Sequence, residues 1–261
     1  MRKTEHMSAP KNLFKDALAQ GQRQIGLWMG LADPYASEIV ARSGFDWVLI
    51  DGEHSPNDLA AIVRQVQVIE PHTHPVVRLP MGEPWLIKQV LDTGVQSLLI
   101  PMVNSAAEAR ALVRAMRYPP EGIRGMGGAL ARATNFGRTP DYAATANDEM
   151  CLIVQVETGA ALEALDEILE VEGVDGVFVG PADLSADLGF PGRADAPEMR
   201  KVVAETLGRI AASGKAAGII DFSEDAIEGH FDAGAQFVAV GSDVTFLSRG
   251  LSALSAKWRV S

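Results

Sequence analysis

Eight short apolar runs recur along the chain, each bounded by Gly, Pro or charge: QIGLWMG (24–30), FDWVLID (45–51), PVVRLP (75–80), VQSLLIP (95–101), CLIVQVE (151–157), DGVFVGP (175–181), KAAGIID (215–221) and QFVAVGSD (236–243). They are nearly continuous rather than alternating, which is the pattern of parallel strands covered on both faces. Between them, apolar positions recur with helical spacing over Asp33–Arg42, Ser55–Val68, Pro84–Thr93, Ala106–Met116, Ala160–Leu169, Glu198–Ala212, Glu224–Ala233 and Thr245–Lys257. A further helix over Lys11–Gln20 would close the barrel bottom. Eight strand-then-helix units predict an α/β fold, a single (β/α)8 barrel of the TIM type with an extra N-terminal helix, over 9–261 after a flexible tail at 1–8. A doubly wound sheet would bring a Gly-rich phosphate turn after the first strand; here that position reads WMGLADPYAS. The one long irregular stretch, 118–149, is read as following strand four and is expected over the mouth of the barrel.

Length and composition narrow this picture without changing it. A chain of 261 residues is right for one such barrel, and 47% hydrophobic with 22% charged residues is ordinary for a soluble globular protein. No apolar run approaches the roughly 18 residues of a membrane span, and the start, MRKTEHMSAPKNLF, has no apolar stretch like a secretory signal. One cysteine, Cys151, excludes an internal disulfide framework and fits a reducing cytoplasm. The net charge of −11 (23 Lys+Arg against 34 Asp+Glu) makes nucleic acid an unfavourable partner.

The candidate chemistry is concentrated at the C-terminal ends of the predicted strands, where such barrels carry their active sites. Strand two ends in Asp51-Gly52-Glu53-His54, strand three in Arg78, strand five in Gln155-Val156-Glu157, strand six in Gly180-Pro181-Ala182-Asp183, strand seven at Asp221 and strand eight at Ser242-Asp243. Glu157 and Asp183 end consecutive strands, close enough to share a cation, and oxygen-only ligation suits Mg2+ or Mn2+. Helix capping is the plainer role for either carboxylate, Asp183 above all. Gln155 has the side-chain parity of Glu157, so both point into the barrel, as ligand contact or as a satisfied core amide. Cys151 shares that parity and reads as barrel filling.

Arg78 is a cation inside a barrel; it either pairs with Asp51 or Glu53, or faces a developing oxyanion. His54 is an imidazole at a strand end, a residue type suited to a general base. His6, His72, His74 and His230 read as surface residues. The seven lysines are Lys3, Lys11, Lys15, Lys88, Lys201, Lys215 and Lys257. Only Lys215 borders a strand, and at the wrong end for a Schiff base, so a metal is left as the electrophile.

Several motifs in order resemble one family: DGEHSPND (51–58), LIKQVLDTG (86–94), LLIPMVNSAAEAR (98–110), RYPPEGIRGMG (117–127), LIVQVET (152–158) and GVFVGPADLSADLG (176–189). The chain resembles the HpcH/HpaI aldolases, metal-dependent class II pyruvate aldolases, from about Lys11 to Lys257. The resemblance implies reversible aldol addition of pyruvate, or an analogue such as hydroxypyruvate, to an aldehyde. It implies Glu157 and Asp183 as ligands of Mg2+, Mn2+ or Co2+, with no organic cofactor. It further implies Gln155 as a substrate contact, the Ala182 and Asp183 N–H groups on the pyruvate carboxylate, Arg78 on the enolate oxygen, and His54 as base with Asp92 raising its basicity. A homo-oligomer, a hexamer, is implied as well. An acyl-CoA lyase like the citrate lyase β subunit is the alternative, and it would need a basic groove for CoA phosphates. A non-catalytic keto-acid-binding barrel would need no base.

Overall fold

Eight parallel strands close into a barrel in sequence order: β1 Gln24–Met29, β2 Trp47–Asp51, β3 His74–Arg78, β4 Ser97–Ile100, β5 Cys151–Val156, β6 Gly176–Val179, β7 Ala216–Ile220 and β8 Phe237–Ser242. The helices are α1 Leu13–Ala19, α2 Pro34–Ala41, α3 Leu59–Ile69, α4 Pro84–Asp92, α5 Ala106–Met116, α6 Tyr142–Glu149, α7 Gly159–Glu163, α8 Leu165–Leu169, α9 Pro181–Asp187, α10 Pro197–Ala212, α11 Glu224–Asp232 and α12 Asp243–Trp258. This is a computed structural model, and it describes residues 7–259; most of the tail expected at 1–8 lies outside the described residues. The (β/α)8 expectation holds, with α1 as the extra helix. Among the described residues no helix is long and apolar enough to cross a membrane.

The strands are buried on both faces because both faces are apolar. Inward side chains such as Trp47, Leu49, Cys151, Ile153, Phe178 and Phe237 fill the barrel, while Val48, Ile50, Val154 and Val177 pack under the helices. Cys151 is therefore barrel filling. Gly26 leaves the room that the Trp47 ring occupies, since a Cβ there would collide with it. Phe14 of α1 plugs the bottom: its ring stacks on His74 at 5.3 Å between centroids and meets Phe237 edge-on at 5.8 Å.

Helix starts follow capping chemistry. Asp33, Asp58, Ser105 and Thr158 each accept a backbone N–H of the first turn. The Asp58 cap starts α3 at Leu59, not at Ser55 as the periodicity predicted. Asn57 Nδ2 donates to the Asp51 carbonyl at 2.8 Å, so residues 52–57 stay a loop at the strand end. The helix expected at 160–169 divides into α7 and α8 at Ala164.

Three expectations are corrected. The 118–149 stretch does not lie over the mouth. It follows α5, which has already carried the chain back to the N-terminal end of the barrel. There Arg132 donates to the Thr93 carbonyl at 2.7 Å and pairs with Glu70 at 2.6 Å, just beyond the ends of α4 and α3. Glu149 accepts the Asn12 N–H at 2.9 Å. The segment thus packs beneath the barrel with the N-terminal chain, and contains α6 and two short 3-10 turns. His74 is not a surface residue either. It is the first residue of β3, covered by Phe14 and 2.8 Å from Ser97 Oγ through Nε2; burial pushes its pKa down to about 4. His230 is mostly covered as well, 2.7 Å from Asp221.

Candidate active site

The strand ends converge on one cavity of about 280 Å³, to which Asp51, His54, Arg78, Gln155, Ala182 and Asp183 all contribute. Trp28, Ser55, Ile220, Phe222 and Val244 complete much of the wall. All eight strands are followed by helices, and the cavity is built from strand ends, the loops after them and the first turns of α9 and α12.

Arg78 and Asp51 are register partners on β3 and β2. Arg78 Nε donates to Asp51 Oδ1 at 2.9 Å and NH2 to Oδ2 at 2.7 Å, while NH1 lies 2.9 Å from Glu53 Oε2. The guanidinium carbon sits 4.7 Å from the Trp28 ring centroid, and Trp28 Nε1 donates to Asp51 Oδ2 at 3.1 Å. The Arg78 ion pair is thus real, with both candidate partners at once. It does not exhaust the residue: these contacts engage at most three of five guanidinium N–H groups. Burial pushes the Asp51 carboxyl up, but the hydrogen bonds and charge of Arg78 outweigh it and the net shift is down. For Glu53 burial prevails over the Arg78 charge, and its pKa is raised.

Glu157 follows β5 directly and is only 2% exposed. Its Oε1 accepts the Met102 N–H at 2.7 Å, and its Oε2 accepts from Gln155 Nε2. Met102 holds that N–H in place from a left-handed backbone conformation, φ +57°, which a non-glycine residue adopts at a cost. Gln155 Oε1 is buried with no hydrogen-bond partner, a polar atom that calls for a ligand. Burial raises the Glu157 pKa to about 7; the Met102 N–H works against this, and the charges of Asp183 and Glu53 add to it. Gly180 supplies the space beside this pair, since a Cβ there would stand 2.5 Å from Glu157 Oε2 and 2.7 Å from Gln155 Nε2.

Ala182 and Asp183 lie in the first turn of α9, whose start has Gly180 as cap and no side-chain capping bond. Asp183 is therefore not consumed as a cap, and it lines the cavity. The His54 side chain is 66% exposed, with Nε2 3.9 Å from Glu53 Oε2. Asp92 is not brought to it. Asp92 ends α4, at the bottom of the barrel, 2.8 Å from NH2 of the fully buried Arg124. Asp243 serves as a clamp, accepting the Gly30 N–H at 2.8 Å and the Leu31 N–H at 3.2 Å.

Sequence reasoning missed Trp28, Met102 and what Gly180 contributes. Trp28 was findable, since it stands at the end of the first strand run. Met102 acts through its backbone and Gly180 through an absent side chain, and neither leaves a residue-type signal.

Residues 24–249 match the family model described as HpcH/HpaI aldolase/citrate lyase. The chain is 59% identical over 254 residues to the hydroxypyruvate/pyruvate aldolase of Roseovarius nubinhibens, covering 97% of this chain and 99% of that protein. It is 53% identical over 251 residues to the 4-hydroxy-2-oxo-heptane-1,7-dioate aldolase of Salmonella newport, covering 96% and 95%. The crystal structure of an HpcH/HpaI aldolase/citrate lyase family protein from Burkholderia cenocepacia J2315 superposes with a TM-score of 0.92 at 36% identity, over 96% of this chain and 100% of that one. With its strand-end residues gathered in one cavity and its relatives matched along nearly their full length, the chain belongs to the HpcH/HpaI aldolase/citrate lyase family and is an aldolase, a carbon–carbon lyase.

Proposed function

We propose that the protein is a divalent-metal-dependent aldolase that joins pyruvate, or an analogue such as hydroxypyruvate, to an aldehyde and cleaves 4-hydroxy-2-oxo acids. The observation that carries this reading is a buried carboxylate, Glu157, bonded to Gln155, whose own amide oxygen is buried without a partner and which lines one cavity with Arg78 and Asp183. The family's curated relatives named above act on substrates of this class by their printed names.

The residues present fit a hard cation. Glu157 and Asp183 would hold Mg2+, Mn2+ or Co2+, and all their donor atoms are oxygens. Among the described residues no group of three His, Cys, Asp or Glu side chains is poised around one point, so water and substrate oxygens would complete the shell. A bound divalent ion supplies Lewis acidity at the 2-oxo group.

The chain's own residues do the rest. The N–H groups of Ala182 and Asp183 orient the 2-oxo acid carboxylate, and Gln155 contacts the substrate beside them. In cleavage His54 takes the proton of the C4 hydroxyl as general base. The C3–C4 bond breaks, its electron pair moves to C3 and is delocalised onto the 2-oxo oxygen, and the aldehyde leaves. The free N–H groups of Arg78 donate to that oxygen as its charge grows, from a guanidinium already fixed by Asp51, Glu53 and Trp28. A proton then returns to C3. The acyl-CoA alternative has no support, because Arg78 and His54 are the basic side chains among the residues named around the cavity.

A homo-oligomer, a hexamer by family resemblance, fits the surface. The last helix, α12, buries only Asp243 and leaves Phe246 82% and Trp258 72% exposed, an apolar face that a second copy would cover. Asp92 lies at the wrong end of its own barrel to reach His54, so the role the resemblance gives it would need the Asp92 of a second copy. The test of the function is a screen of pyruvate and hydroxypyruvate against short aldehydes with metal-loaded protein, read by NMR. A new 4-hydroxy-2-oxo acid is expected, and its absence with every pair would refute the reading.

A further inference from the structure

Two parts of the cavity differ in chemistry. Arg78, Gln155, Ala182 and Asp183 offer polar groups, which suit a 2-oxo acid. Ile220 and Phe222 offer only apolar surface, which suits the carbon chain of an aldehyde. Ile220 ends β7 and Phe222 stands in the corner between β7 and α11, whose linking residues are Asp221, Phe222 and Ser223.

That corner leads into a weakly anchored helix. α10 buries Met199, Val203, Thr206, Leu207 and Ile210, whereas α11 has no fully buried residue. Ile227 and Phe231 are only partly buried against the core. Arg23 stands 3.4 Å over the Phe231 ring and 2.9 Å from Glu228, in an ion pair open to solvent. A helix with so few buried contacts belongs to the low end of local stability, so single polar ties weigh more.

Asp221 provides such a tie. Its N–H donates to the Ala239 carbonyl on β8 at 3.0 Å, and its Oδ1 accepts the Ser223 N–H at 2.9 Å. Its Oδ2 lies 2.7 Å from His230 Nε2 in the last turn of α11, and the two side chains are 28% and 17% exposed. A single residue thus joins the barrel through its backbone, and the corner and the far end of the helix through its carboxylate. A mostly covered pair is less screened than a surface one.

We propose that His230 and Asp221 are positioning residues for the aldehyde half of the reaction: their pair fixes the β7–α11 corner, and with it the Ile220–Phe222 wall on which the aldehyde's carbon chain packs. This rests on the aldolase reading above. Neither residue touches the reacting atoms, and neither serves the 2-oxo acid.

The test compares His230→Ala and His230→Gln with the unaltered protein, all metal-loaded, with thermal melts as a folding control. His230→Ala is expected to raise KM for the aldehyde about three- to tenfold. Its kcat at saturating aldehyde, and the exchange of pyruvate C3 protons, which needs no aldehyde, stay within about twofold. His230→Gln, which keeps an N–H donor at the same reach, restores the aldehyde KM. An unchanged aldehyde KM in His230→Ala, an equal fall in proton exchange, or a Gln variant no better than Ala would each overturn the proposal. Should His230→Ala not fold, Asp221→Asn gives the same reading through a smaller rise in aldehyde KM, and no rise overturns it. Failure of the unaltered protein to exchange C3 protons or turn over any aldol would strike the aldolase reading instead.

Discussion

Asp51 and Arg78, opposite one another on β2 and β3, close a two-point ion pair at 2.9 and 2.7 Å inside the barrel mouth. With Glu53 on NH1 and the Trp28 ring beside the guanidinium plane, the guanidinium is held from several sides before any substrate arrives. Such a donor stabilises growing charge without reorganising.

Arg78→Lys tests that geometry. A lysine is a point charge and cannot reproduce the two-point pair with Asp51 and the contact with Glu53. Aldol cleavage and pyruvate C3 proton exchange are both expected to fall about 10²–10³-fold. NMR on one metal-loaded preparation measures both rates. Retention of exchange at the unaltered rate would remove Arg78 from the enolate-forming step.

His54 should fail differently, because its proton exists only when an aldol is bound or forming. His54→Ala is expected to slow cleavage of a 4-hydroxy-2-oxo acid by roughly 10²–10⁴. Oxaloacetate decarboxylation involves no C4 hydroxyl and should survive better in this variant than in Arg78→Lys. Equal loss of both reactions in His54→Ala would mean that His54 shapes the 2-oxo acid site.

Gly180→Ala addresses the space beside Glu157. The added methyl would stand 2.5 Å from Glu157 Oε2 and 2.7 Å from Gln155 Nε2, so that buried pair must move. Mn2+ affinity by calorimetric titration is expected to drop about 10–100-fold, the range for disturbed metal-site partners. Unchanged affinity would mean that the cation does not sit there.

These positions show how far the sequence reached. Strand-end polarity was enough to bring Arg78, Gln155 and Asp183 to one cavity, and the shared parity of Gln155 and Glu157 to put Glu157 beside it, hydrogen-bonded to Gln155. Position along a helix was read less well. Segment 118–149 was assigned to the mouth by counting from β4, although α5 intervenes and reverses the chain. Asp92 ends α4 and so faces away from His54; the helical pattern over Pro84–Thr93 already places it at a helix end, and only the role carried over from the family sets it beside His54. His74 was misread because one residue of strand boundary decides whether it is solvated or covered by Phe14.

His74 gives a stability prediction with a definite sign. Its folded pKa is about 4 against an ordinary 6.5, through burial, so between those values the unfolded chain binds more protons. Stability should therefore fall as pH drops from about 6.5 toward 4, by roughly 2 kcal/mol at pH 5 from this group. His74→Gln, which can keep a bond to Ser97, should lose less melting temperature between pH 7 and pH 5 than the unaltered protein. An identical loss in both would show that His74 does not carry this dependence.

The central claim is that a divalent ion held by Glu157 and Asp183, with no lysine adduct, makes this barrel an aldolase. The most direct measurement is the rate of 4-hydroxy-2-oxo acid cleavage by chelator-stripped protein before and after adding Mn2+, Mg2+ or Co2+. The account predicts negligible cleavage by the stripped protein and recovery with at least one of these ions. Undiminished cleavage by the stripped protein would contradict it.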